Sequence, residues 1–235
     1  MLQLENMSCG YGSLTVVNEL SVHIPKGIVF ALIGANGAGK SSTIMTIAGH
    51  VNLKSGKITF EDQDISSLPS KDRVRLGITV APEGRRLFSD MTVEENLAVG
   101  SYSLPKDQFH SNKENVLDLF PRLKERISQQ AGSLSGGEQQ MLAIGRALMP
   151  NPKFLIIDEL SLGLMPKVID MCYQTIEKLK QEGVTILLVE QNTTRAFEVA
   201  DQVCVLESGN DVWQGTAEDA KNDSQLVEAY LGLKQ

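Results

Sequence analysis

The hydrophobic pattern of the chain runs on two periods. Short, predominantly apolar stretches occur at 28–33, 154–157 and 184–189, and 78–81 is a further strand candidate. They are strand-sized and carry no polar alternation, as expected of strands in a parallel sheet covered on both faces. Residues 27–33 read as a buried strand, and 57–60 as a further candidate. Elsewhere apolar residues recur every three or four positions. That spacing predicts helices at about 40–49, 93–99, 114–120, 137–148 and 166–181, the last ended by Glu182-Gly183. Residues 203–207 and 211–214, joined through Ser208-Gly209-Asn210, read as a late hairpin. A short helix is expected from Ser224. Two strand-rich pieces, about 1–84 and 150–235, thus flank a mainly helical stretch at about 85–149. The βα alternation predicts a single α/β domain of residues 1–235, with a parallel sheet and an inserted helical subdomain.

Composition narrows the function. Of the 235 residues, 42% are hydrophobic, enough for a packed core. The net charge of −7 argues against a nucleic-acid partner, which calls for a basic surface. Cys9, Cys172 and Cys204 are far apart, form no CxxC, and are expected to be buried or free thiols. His23, His50 and His110 lack metal-ligand spacing. The first residues carry Glu5 and neither a basic nor a long apolar stretch, so no signal peptide is expected. No window reaches the ~18–20 apolar residues of a membrane span. A chain soluble in isolation is expected, with any membrane role supplied by a partner.

The strongest chemical signal is Gly34-Ala35-Asn36-Gly37-Ala38-Gly39-Lys40-Ser41, which fits GxxxxGK[ST]. It follows a predicted strand and opens a predicted helix, the context in which the pattern cradles phosphate. Glycines let backbone N–H groups close around phosphate oxygens, and the helix N-terminus favours negative charge. Lys40 would reach the β- and γ-phosphates, and the Ser41 hydroxyl would ligate Mg²⁺; Ser42 continues the loop. A second signal is the apolar run 154–157 ending in Asp158 and Glu159. Ligands gather at the carboxyl ends of parallel strands. Asp158 is placed to hold the Mg²⁺ shell, and Glu159 to orient and deprotonate water for attack on the γ-phosphate. A third is Leu134-Ser135-Gly136-Gly137-Glu138-Gln139-Gln140. Ser135 is a good N-cap and Glu138 completes a capping box, so an ordinary helix start accounts for it; the same two glycines at a helix N-terminus also suit an anion.

With all three motifs present, the chain resembles the ATP-binding-cassette (ABC) ATPases over essentially its whole length. That resemblance implies a P-loop NTPase (RecA-like) core with N-terminal antiparallel β elements. It implies ATP and Mg²⁺ as ligands and a second cassette facing the first head to tail. Each ATP would lie between one chain's phosphate loop and the partner's counterpart of Ser135, Gly136, Gly137 and Glu138. By the same resemblance, Tyr11 matches the residue that stacks on adenine and Glu83 the position touching Mg²⁺. Residues 161–164 match the segment crossing between the two sites, and Gln191 the γ-phosphate sensor. The family usually has Gln at 83 and 138, His at 191 and Pro at 160. Glu83 adds negative charge, Gln191 carries no positive charge, and Leu160 is expected to loosen the turn after Glu159.

Residues 81–88, 161–166, 189–192 and 228–232 are similar to the smaller ATP-binding subunit of high-affinity branched-chain amino acid importers, where Glu83 and Gln191 are expected. This implies an ATPase that powers import. It would pair with a second ATPase and two transmembrane permease subunits, fed by a periplasmic binding protein, at the cytoplasmic face of the inner membrane. The same motor serving urea or short amides is the nearest alternative, followed by a non-transport ABC ATPase.

Overall fold

The computed structural model describes residues 1–102, 105–161, 163–191, 193–223 and 226. The expected helix from Ser224 and the matches at 162, 192 and 228–232 lie outside the described residues. In chain order the elements begin with β1 (Leu2–Tyr11), β2 (Leu14–Ile24), β3 (Val29–Ile33), α1 (Lys40–Ile47), β4 (Leu53–Phe60) and β5 (Gln63–Asp64). Next come α2 (Ser70–Leu76), β6 (Ile78–Ala81), α3 (Val93–Gly100), α4 (Phe109–Leu119), α5 (Pro121–Glu125) and α6 (Gly136–Leu148). The rest are β7 (Phe154–Asp158), α7 (Pro166–Gln181), β8 (Thr185–Glu190), α8 (Thr193–Val199), β9 (Gln202–Glu207), β10 (Asn210–Thr216) and α9 (Ala217–Asn222).

Two sheets form. The larger has the order β10-β9-β3-β8-β7-β6, with β9 through β6 parallel and β10 antiparallel at the edge. The smaller, β2-β1-β4-β5, is antiparallel. The apolar runs explain the large sheet: every residue of β3, β7 and β8 is buried. Phe30 and Leu32 of β3 face the small sheet and α1, together with Leu2, Met7, Ile44 and Phe60. Ala31 and Ile33 face α8 and α9 instead, while Leu155 and Ile157 of β7 face the helices α3 to α7. Burial on both faces leaves the strand ends as the places for polar chemistry.

The long helical stretch between β6 and β7 is interrupted, at Pro105 and again before α5, whose first residue is Pro121. Proline lacks the N–H that would continue a helix. Helix α2 has a polar-looking sequence that carries no periodic signal. Its Arg73 is buried and donates to the Thr46 and Ile47 carbonyls at 2.7 and 2.8 Å. A cation thus closes the C-terminal end of α1, opposite the end that faces the phosphate loop. Among the described residues no helix is long and apolar enough to cross a membrane.

Candidate functional site

The loop 34–39 leaves the centre of the large sheet and turns directly into α1. Gly34 is the residue that lets it do so. Its φ is 154°, and a Cβ there would stand 2.3 Å from the Leu206 carbonyl oxygen on the adjacent strand. The loop is braced from behind, since the Gly209 N–H of the β9–β10 turn donates to the Ala38 carbonyl at 3.0 Å. Gly39 caps α1 in the left-handed region. Ala35, Asn36 and Gly37 are exposed, and Gly34 and Ala38 lie buried behind them.

A cleft of about 250 Å³ opens at this point. The loop and α1 contribute Asn36, Gly37, Gly39, Lys40, Ser41 and Ser42, and three neighbouring strand ends contribute Glu83, Glu159 and Gln191. The phosphate loop and the acidic end of β7 therefore converge although they are far apart in the chain. Lys40 is 6% exposed; its Nζ donates to the Gly34 and Ala35 carbonyls at 2.8 and 3.2 Å and lies 3.9 Å from Glu159 Oε1.

The acids at the end of β7 are in tension. Burial, then the charges of Glu83 and Glu159, push Asp158 up to about 6, with Lys40 pulling the other way. Its Oδ1 is buried without a hydrogen-bond partner. Burial likewise raises the Glu159 carboxyl, opposed by Lys40. A raised carboxyl is a stronger base when it does ionise. Glu159 has a left-handed backbone, φ 53°, unusual for a residue with a side chain. Its N–H donates to the Val189 carbonyl at 2.9 Å. Leu160, expected to loosen this turn, instead anchors it. The side chain is fully buried in the core on the helical side of the sheet.

The residues present fit a Mg²⁺ ion. An orphaned carboxylate oxygen on Asp158, the Ser41 hydroxyl and the Glu83 carboxylate are hard oxygen donors. Among the described residues no three His, Cys, Asp or Glu side chains gather to hold a metal alone.

The motif at the head of α6 stands apart, and none of its residues lines the cleft. The capping box forms as expected: Ser135 Oγ accepts from the Glu138 N–H at 3.3 Å, and Glu138 Oε2 accepts from the Ser135 N–H at 2.9 Å. Glu138 also pairs with Arg126 at 2.6 Å. Burial opposes its charge, but hydrogen bonds from Ser135 and the Arg126 guanidinium hold its carboxyl below the usual range. Gly137 is required by packing, because a Cβ would meet the Val168 methyls of α7 at 2.7 and 2.8 Å. Tyr11 ends β1 at the hairpin to β2, 56% exposed and outside the cleft lining. Val16 of β2 does line the cleft, and no motif marks it in the sequence. The three cysteines are buried and free, as expected.

Comparison with known proteins identifies the family. The family model described as "ABC transporter" matches residues 17–161. The chain is 49% identical over 232 residues to the high-affinity branched-chain amino acid transport ATP-binding protein BraG of Pseudomonas aeruginosa, covering 99% of this chain and 100% of that one. It is 35% identical to the probable branched-chain amino acid transport ATP-binding protein LivF of Archaeoglobus fulgidus, with 99% of each covered. Among solved structures, an ATP-binding cassette of an ABC transporter in its ADP conformation superposes with a TM-score of 0.88 at 27% identity, covering 99% of both chains.

Proposed function

The chain belongs to the ABC transporter family, and on that premise we propose that it is the ATP-hydrolysing subunit that powers import of branched-chain amino acids through a membrane transporter. The carrying observation is the end-to-end similarity to BraG, whose name states that transport role, together with a cleft that assembles phosphate loop, acids and Gln191.

In this reading the triphosphate lies along loop 34–39, with Lys40 released from the loop carbonyls to the β- and γ-phosphates. Ser41, Asp158 and Glu83 would hold Mg²⁺, which would supply neutralising charge at the phosphate oxygens. Glu159 accepts a proton from water as the water oxygen attacks the γ-phosphorus. The bond to the β–γ bridging oxygen breaks, and ADP and phosphate leave. Gln191 donates an amide hydrogen bond to the γ-phosphate, and Tyr11 stacks on adenine. Ser135, Gly136, Gly137 and Glu138 face the ATP of a second cassette. That second subunit is a different ATPase, because Glu83 and Gln191 leave this chain's own site short of positive charge. Two permease subunits dock on the cassettes at the cytoplasmic face of the inner membrane, and a periplasmic binding protein delivers the solute. The exposed Phe88, which leads on from Glu83 and stacks against Arg146 at 5.6 Å, supports a docking face there.

The test is steady-state ATPase activity of the purified chain, alone and assembled with the ATPase, permeases and binding protein of neighbouring genes. Stimulation of the full assembly by leucine, above the rate of this chain alone, is expected. Stimulation by urea with none by leucine would overturn the solute assignment.

A further inference from the structure

Glu190 ends β8 and is 0% exposed. A carboxylate is almost never buried to this degree unless something holds it. Its partners lie on two other elements. Glu190 Oε1 accepts from the Ser161 N–H at 3.1 Å and Oε2 from the Ser161 hydroxyl at 2.9 Å. The Tyr173 hydroxyl of α7, itself buried, donates to Oε1 at 3.4 Å. The residues on either side of Glu190 grip the same loop. The Val189 carbonyl accepts from the Glu159 N–H, and a Gln191 backbone hydrogen bond reaches the Glu159 carboxylate. Three consecutive residues, Val189, Glu190 and Gln191, therefore hold the loop after β7 at both Glu159 and Ser161.

We propose that Glu190 is a positioning residue that locks Ser161 to the Gln191 turn, so that the arrangement of Gln191 in one ATP site is carried to the segment facing the partner's site. The inference rests on the cassette reading above, in which residues 161–164 lie between the two sites. A buried carboxylate suits this task. It accepts bonds from both the backbone and the side chain of Ser161, so one side chain holds that residue at two points. The chemistry needed is hydrogen-bond acceptance in a fixed geometry, with no proton transferred. Glutamine preserves it, because the amide oxygen accepts from the Ser161 N–H while the amide NH₂ donates to the Ser161 hydroxyl oxygen. Methionine fills the space and abolishes it.

The experiment compares Glu190→Met, Glu190→Gln, Ser161→Ala and the Glu190→Met/Ser161→Ala double variant in the full-length chain assembled with its partner ATPase and permeases. ATP affinity, ATPase kcat and KM, and thermal midpoint are measured for each. Glu190→Met is expected to keep ATP affinity and KM while kcat falls by about tenfold to a hundredfold, the range of a small misplacement at a reacting site. Glu190→Gln should restore most of that kcat. The double variant should lose less than the product of the single losses, because both changes break one contact. A wild-type assembly that does not hydrolyse ATP would remove the cassette reading itself. Wild-type hydrolysis with Glu190→Met at full kcat, or with losses that multiply independently of Ser161, would remove the inference alone.

Discussion

The two glycine-bearing helix starts of this molecule, at Lys40 and at Gly136, look alike in sequence and differ in what they leave unsatisfied. At the first, Lys40 is turned back onto its own loop carbonyls, Asp158 keeps a buried oxygen without a partner, and burial raises two neighbouring carboxyls. In the proposed function a polyphosphate would take up the Lys40 ammonium, and a divalent cation the orphaned Asp158 oxygen. At the second, the capping box is closed, Glu138 is paired with Arg126, and its carboxyl is held low. That end is complete without a ligand and forms no part of the cleft. In the proposed function the first start holds the chain's own nucleotide. In the proposed function the second faces a nucleotide held by another subunit.

The largest expected effect on this contrast comes from Glu159. Glu159→Gln should retain ATP binding while slowing hydrolysis by roughly 10²–10⁴-fold, the usual contribution of a general base. Single-turnover ATPase measurements check this, and wild-type turnover would remove Glu159 from the role. Lys40→Ala should come next. Losing a charged donor to two phosphates costs about 3 kcal/mol, or roughly a hundredfold in Kd. Calorimetry showing unchanged ATP affinity would refute the assignment. Ser135→Arg sharpens the comparison from the other side. It should leave ATP affinity of the isolated chain intact, lower assembly ATPase, and cost about 1 kcal/mol of stability through the lost cap. Loss of binding in the isolated chain would contradict the division of labour.

The smallest effect tests the strain at the first site directly. Asp158 sits at about 6 in the fold, above its ordinary 3.8. The folded chain therefore binds the proton more tightly than the unfolded one. The stability cost of ionising Asp158 grows as pH rises from 3.8 and is complete above about 6. Asp158→Asn should raise the melting temperature of the nucleotide-free chain at neutral pH, by roughly 2–4 °C for each kcal/mol relieved. The gain should vanish below the ordinary carboxyl range, and Mg²⁺ should no longer strengthen ATP binding. A variant less stable than wild type at neutral pH would show that Asp158 is not strained.

Much of the fold is legible in the sequence because the parallel strands are uniformly apolar and their ends are not. The runs at 28–33, 154–157 and 184–189 mark β3, β7 and β8, and the residues just past each of these strands line or adjoin the cleft. The residues that the pattern does not mark act through packing or through distant partners. Helix α2 carries no apolar stripe, since its task is performed by Arg73 on carbonyls more than twenty residues earlier in the chain. Strands β1 and β2 are bulged, with register shifts along β1, which blurs the alternation that would have marked them. Glu190 reads in sequence as one more strand-end acid, and only its burial against Ser161 and Tyr173 separates it from a solvated one. Leu160 shows the opposite error, in which a missing proline suggests looseness and side-chain burial supplies the constraint instead.

In the proposed pair of cassettes, one chain's phosphate loop and another chain's Ser135 segment share a nucleotide. This is tested most directly by sizing chromatography of the Glu159→Gln chain with its partner ATPase in ATP and Mg²⁺, with and without Ser135→Arg in the same chain. The account predicts an ATP-dependent pair for Glu159→Gln that is lost on adding Ser135→Arg, while both variants bind ATP with equal affinity. An ATP-dependent pair that survives Ser135→Arg unchanged would contradict it.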